Sequence, residues 1–196
     1  EGVHVRILTD SFGSVGLYLW QFPLQKLRRA GVHLSFFMPV FSFRFQNRLN
    51  LRYHRKIHLI DRKILFSGGM NLAKEYMSLE HDKEQWVDIL YRCEGSVVHD
   101  YIDIFESDWA YAEQTPQKKR PVTDLSTKGD AELQVVPSGP DVSDDALLEA
   151  IIYAINKASK RIWIVTPYFV PSELILRSLH IAHHRGVDIK LITPKS

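Results

Sequence analysis

One stretch of the chain has residue types and spacing that could do phosphoryl chemistry: His54-Arg55-Lys56, four residues, Asp61, six residues, then Gly68-Gly69-Met70-Asn71. Side chains at i and i+2 of a strand share a face. A strand over 53–60 therefore points His54 and Lys56 one way and Ile57 and Leu59 the other. An imidazole can attack phosphorus, and an ammonium beside it can neutralise phosphate oxygens. Gly68-Gly69 lets the backbone approach a ligand closely. Asn71 suits the cap of a short helix from Leu72, whose free amides would form an anion site. Together these groups could hold and attack a phosphodiester. His54 with His58, lacking clustered carboxylates, makes a poor metal site.

Other elements must hold that stretch in place. Asp61-Arg62-Lys63 reads as a tight turn and Ile64 to Ser67 as the return strand. Upstream, residues 3–9 read as a strand, 17–30 as a helix interrupted near Pro23, 32–38 as a strand and 39–52 as a basic, aromatic connection. Downstream, 86–92 reads as a strand. Val98, Ile102, Phe105, Trp109 and Ala112 keep helical spacing, which predicts an amphipathic helix over 97–113 with a core-facing stripe. Residues 114–130 are polar and Pro-containing, the mark of a linker. A strand over 131–136 leads to Ser138-Gly139-Pro140. Asp144 would cap a helix running to Lys160, with Leu148, Ile151, Ile152 and Ile155 inward. Strand 161–166, helix 172–185 and strand 187–193 complete the order. Such alternation predicts an α/β fold with a mixed, largely parallel sheet flanked by helices. Gly2 to Asp10 echoes Gly186 to Pro194, since both open with glycine as a helix end does and then alternate apolar and polar residues.

Charge is unevenly spread. The net charge is +2, yet no acidic residue lies between Asp10 and Asp61, a window that carries +8. The remainder therefore sums to −6. The same window holds ten aromatic residues. Cations interleaved with aromatics suit an anionic lipid surface, and they would also suit nucleic acid. Excluding every acid next to the motif fits an anionic substrate. The lone Cys93 allows no internal disulfide and suits a reducing compartment. No apolar run reaches the ~18 residues of a membrane span.

The pattern HxKx4D, six residues and GGxN resembles the signature of the phospholipase D superfamily. The segments 2–14, 68–77, 85–95, 135–141 and 158–171 are similar to one branch of it, the bacterial cardiolipin synthases. That resemblance implies a phospholipase D-like fold with parts of two repeated domains. Residues 1–113 would be the later part of the first, 114–130 a linker and 131–196 the opening of the second. Members carry two such motifs, whereas a second HxK with a downstream Asp is expected to be absent here; His180, His183 and His184 lie on a helix-like stretch without the pattern. The chain thus reads as an internal fragment.

The resemblance further implies phosphatidyl transfer, making cardiolipin and glycerol from two phosphatidylglycerol molecules, with His54, Lys56 and Asp61 as the catalytic motif. His54 would be the nucleophile and form a phosphohistidine. Lys56 and Asn71 would bind non-bridging oxygens, beside Gly68 and Gly69. Asp88 matches the family position for a carboxylate that holds the imidazole in its tautomer. Asp61, on the wrong strand alternation to join His54, would brace the hairpin. Asp10 and Tyr168, at predicted strand ends, are further candidates to line the site. No cofactor or metal is implied. The implied partners are phosphatidylglycerol, a membrane surface, and a second motif from elsewhere or from a second copy, with no nucleic acid expected. The implied location is the cytoplasmic face of a bacterial membrane. A hydrolytic phospholipase D or nuclease of the same superfamily, or a catalytically incomplete lipid-binding fragment, are the alternatives.

Overall fold

The alternation in Arg6-Ile7-Leu8-Thr9-Asp10 yields strand β1 (Arg6–Asp10), and His33-Leu34-Ser35-Phe36-Phe37 yields β2 (His33–Phe37). The two run parallel, with Arg6 opposite His33 and Asp10 opposite Phe37. The computed structural model describes residues 2–37, 53–77, 85–117, 126, 128–139 and 145–194. The chain divides into two units, one of Glu1–Val135 and Gly139–Asp141, the other of Val136–Ser138 and Val142–Ser196.

In the first unit, a parallel pair needs a crossover. Helices α1 (Val15–Leu19) and α2 (Phe22–Arg29) supply it. The helix predicted over 17–30 is split because Pro23 sits in the first turn of α2, where its missing N–H costs nothing. Leu24 is buried, and Tyr18 meets Phe36 edge-on at 5.1 Å. Phe37 is fully buried, with Tyr53 at 4.8 Å and Tyr111 at 5.0 Å.

The motif builds an antiparallel sheet of β3 (Ile57–Ile60), β4 (Ile64–Gly68) and β5 (Leu90–Glu94). Between β3 and β4 the Lys63 N–H donates to the Ile60 carbonyl at 3.0 Å. Asp61 and Arg62 both adopt positive φ, 51° and 58°, within the three-residue connection between the paired Ile60 and Ile64. Helix α3 (Val97–Glu113) has the predicted bounds. It packs Val97, Val98 and Ile102 on Leu65, with Ile57 and Leu59 against the same cluster.

Three expectations need correction. The sheet is not one largely parallel layer: β1 with β2 is parallel, while the motif strands form a separate antiparallel sheet, because a three-residue turn can join only antiparallel strands. The strand expected over 86–92 starts at Leu90, where pairing opposite Gly68 begins. Residues 131–136 form no strand; among the described residues none pairs with them.

The second unit contains α4 (Ala146–Lys157), β6 (Arg161–Val165), α5 (Glu173–His184) and β7 (Asp188–Ile192). β6 and β7 pair in parallel across α5. Their core is Ile155, Ala182 and Val187, flanked by Ile162, Ile175, Leu179 and Ile189. Of the residues expected inward on α4, Ile155 is buried, Leu148 and Ile152 are half-buried and Ile151 is exposed. Arg185 donates to the carbonyls of Ile155, Asn156 and Ala158, satisfying the otherwise unpaired C-terminal groups of α4. Gly186 follows α5 at φ 87°, matching Gly2 at φ 81° in the first unit. No described helix is long and apolar enough to cross a membrane. The 39–52 connection, most of 118–130 and Asp144 lie wholly or partly outside the described residues.

Candidate functional site

His54 and Lys56 stand just before β3: the strand expected over 53–60 begins only at Ile57, so strand alternation does not set the two side chains on one face. The Lys56 ammonium reaches back along the chain. Its Nζ lies 3.0 Å from His54 Nδ1 and donates to the His54 carbonyl at 2.9 Å. An ammonium has only donors, so Nδ1 accepts and the proton of the neutral ring rests on Nε2. Burial lowers the His54 pKa below its ordinary value, the Lys56 charge lowers it further, and Asp10 acts in the opposite sense. Burial likewise lowers the Lys56 pKa, opposed by Asp88. Burial and the Lys56 charge thus favour the neutral imidazole, the form that nucleophilic attack requires.

A cleft of about 660 Å³ opens on this pair. Its lining includes Asp10, Phe12, Gly13, His54, Lys56 and Asn71. Asn71 reaches the cleft as predicted, but not as a helix cap. Residues 74–76 make a single turn, closed by the Tyr76 and Met77 N–H groups on the Ala73 carbonyl.

The glycines act through close approach. Gly68 has φ 148°, and a Cβ there would meet the Ile89 carbonyl oxygen at 2.0 Å. A Cβ on Gly69 would meet the Asp88 carboxylate at 2.2 Å. The pair therefore lets the 88–89 backbone and the Asp88 side chain press against the end of β4.

Two carboxylates depart from the sequence reading. Asp88 was expected to hold the imidazole. It lies instead ahead of β5, accepts from the Ile89 N–H at 2.7 Å and acts on Lys56. The carboxylate that acts on His54 is Asp10. Asp10 does not offer its oxygens to a ligand. Oδ1 accepts from the Phe12 and Gly13 N–H groups at 2.9 and 2.8 Å, and Oδ2 accepts from the Tyr53 N–H at 3.1 Å. It ties the end of β1 to the residue before His54, and its charge would repel a phosphodiester. Asp61 sits in the hairpin turn, and the cleft around His54 does not include it. Tyr168 belongs to the second unit, is 81 % exposed, and pairs its backbone with the Thr166 hydroxyl.

Sequence reasoning missed what anchors the motif from behind. Arg55, between the two catalytic candidates, forms an ion pair with Asp108 of α3. Glu106, two residues earlier on the same helix, takes Arg6 of β1 in two hydrogen bonds of 2.9 and 2.6 Å. Both carboxylates are buried. The available signal was two acids flanking the apolar stripe of α3, each needing a cation. A second HxK with a downstream Asp, expected to be absent, does occur at His81, Lys83 and Asp88, though without the double glycine and asparagine; His81 and Lys83 lie outside the described residues.

The family described as "Cardiolipin synthase, PLD-like domain" matches residues 1–109 and 151–196. Among curated proteins, the cardiolipin synthase of Clostridium perfringens (strain 13 / Type A) is 35 % identical over 201 residues, covering 99 % of this chain and 42 % of the relative. The probable cardiolipin synthase YwiE of Bacillus subtilis (strain 168) is 36 % identical over 197 residues, covering 100 % of this chain and 39 % of the relative. Cardiolipin synthase A of Pectobacterium carotovorum subsp. carotovorum (strain PC1) is 34 % identical over 202 residues, covering 99 % and 41 %. The chain spans about two fifths of the length of these curated relatives.

Proposed function

The chain belongs to the cardiolipin synthase, PLD-like domain family, and on that premise we propose that it supplies one half of a phosphatidyltransferase site, joining two phosphatidylglycerol molecules into cardiolipin with release of glycerol. The observation that carries the reading is the His54 imidazole clasped by Lys56 at a cleft that also holds Asn71.

The chemistry follows from those groups. The phosphate oxygens of a phosphodiester draw the Lys56 ammonium off Nδ1 and onto themselves. The freed imidazole lone pair attacks phosphorus. A phosphorus–nitrogen bond forms as the bond to the glycerol oxygen breaks, leaving a phosphatidyl-histidine. Lys56 and the Asn71 amide stabilise the charge gathering on the non-bridging oxygens. The departing alkoxide takes a proton from a general acid, which the family resemblance assigns to a second motif histidine outside this chain or from a second copy. A second lipid hydroxyl then passes its proton to that acid, now a base, and attacks phosphorus as the phosphorus–nitrogen bond breaks and the imidazole leaves. Water in place of that hydroxyl gives phosphatidic acid.

Asp61 braces the hairpin that carries His54, and Asp10 holds the backbone ahead of it. The two units fit as parts of two repeated domains, a reading supported by the matched positive-φ glycines Gly2 and Gly186. The bacterial membrane, at its cytoplasmic face, is where such a site meets its substrate.

Mass spectrometry of products from phosphatidylglycerol tests the proposal, with the chain alone and with a second motif-bearing half added. Cardiolipin and glycerol, lost in His54→Ala, are expected. Full activity in His54→Ala would remove His54 as nucleophile, and phosphatidic acid without cardiolipin would make the site a hydrolase.

A further inference from the structure

Helices α1 and α2 form a knuckle beside the cleft whose surface is unusually apolar. Tyr18 and Leu24 are its inward anchors. Around them Phe12, Val15, Leu19, Trp20 and Phe22 are all exposed, Trp20 by 75 % and Phe22 by 78 %. The turn between the helices is fixed by Arg28, whose guanidinium donates to the Gln21 side chain at 2.7 Å. The last turn of α2 presents Lys26, Arg28 and Arg29, and no acidic residue occurs between Asp10 and Asp61.

We infer that this knuckle is a docking surface for an anionic phospholipid bilayer, with Trp20 and Phe22 inserted at the headgroup level and Lys26, Arg28 and Arg29 against the anionic lipid charge. A run of exposed large apolar side chains marks an interaction site. Two aromatics beside a basic helix end, with no acid among them, fit an interface that is apolar inside and anionic outside. A protein partner would need a shape and charge match for which a purely cationic rim is poorly suited; a membrane needs only that charge. Phe12, Gly13 and Ser14 belong both to the start of the knuckle and to the cleft lining. Docking here sets the cleft mouth at the membrane, so a headgroup reaches His54 while its acyl chains stay in lipid. The choice of a phosphatidylglycerol-rich bilayer rests on the phosphatidyl-transfer reading; the docking surface itself does not.

The test is vesicle sedimentation of the full chain with phosphatidylglycerol and with phosphatidylcholine vesicles, at low and at 0.5 M salt (about a 4 Å screening length). Binding to the anionic vesicles that weakens with salt is expected. Trp20→Ser/Phe22→Ser should lower partitioning by about tenfold or more. Lys26→Glu/Arg29→Glu should lower it by at least about twentyfive-fold, roughly fivefold per cation removed. Both sets are exposed, so folding is unaffected, which circular dichroism checks. The surface change Leu133→Ser, outside the knuckle, should bind like the parent. Equal binding by the parent and the Trp20/Phe22 variant, or an equal loss in Leu133→Ser, overturns the assignment. So does a change of oligomeric state without a change in vesicle binding, which would make the knuckle an interface between copies. Loss of transfer in His54→Ala with normal docking leaves both readings standing. Intact docking with no transfer by the parent sinks only the catalytic one.

Discussion

Replacing Asp108 with alanine should destabilise the first unit by about 3 kcal/mol and loosen the catalytic segment. The Asp108 side chain has no exposed surface and that of Arg55 only 15 %. Removing one member of a buried ion pair costs roughly 3–5 kcal/mol, because the remaining charge keeps its desolvation penalty. The residual exposure of Arg55 puts the effect at the lower end. With a urea dependence of about 2 kcal/mol per molar, the unfolding midpoint should fall by about 1.5 M. Replacing both residues together, Arg55→Leu/Asp108→Leu, removes both desolvation penalties and should recover stability to within about 1 kcal/mol of the parent. Arg55 lies between His54 and Lys56, so the stable double variant separates holding from folding. In the full-length protein its kcat should fall while KM stays near the parent value, because substrate contacts remain and only the orientation of the nucleophile loosens. A loss below about 1 kcal/mol in Asp108→Ala, or an unchanged kcat in the double variant, would refute the view that α3 positions the motif.

Three further outcomes are expected. The acid limb of kcat/KM should lie below the ordinary histidine value of about 6.5, because burial and Lys56 hold His54 neutral; Lys56→Met should move that limb upward, and a parent limb above 6.5 would contradict the site's electrostatics. Burial also lowers the pKa of His58. The unfolded chain therefore binds protons that the native one does not as pH falls below about 6.5, and stability is lost from there down through the depressed native values; the urea midpoint should drop between pH 7.5 and 5, and drop less in His58→Gln. Gly68→Ala, whose Cβ would overlap a backbone oxygen in a conformation reserved for glycine, should lower stability by about 3 kcal/mol in a thermal melt, whereas Gly69→Ala, which meets the Asp88 side chain rather than backbone, should cost less.

The chemistry-bearing residues were legible because they are local. Alternation put Ile57 and Leu59 against α3, and 3.6-residue spacing gave α3 its bounds, since both depend on periods read within one segment. The hairpin turn was legible too, through a short polar break between apolar runs. What the sequence by itself determined is the α/β class, the motif and its family. The tertiary structure alone decided which distant groups meet. Asp10 rather than Asp88 acts on the imidazole because β1 ends beside Tyr53, forty-three residues away in the chain. Arg55 finds Asp108 fifty-three residues later, because α3 folds back beneath the motif and a buried carboxylate must be paired. Residues 131–136 have the alternation of a strand and form none, since a strand exists only where a second strand takes its hydrogen bonds. Periodicity fixes which face a residue occupies; pairing across the fold fixes what that face meets.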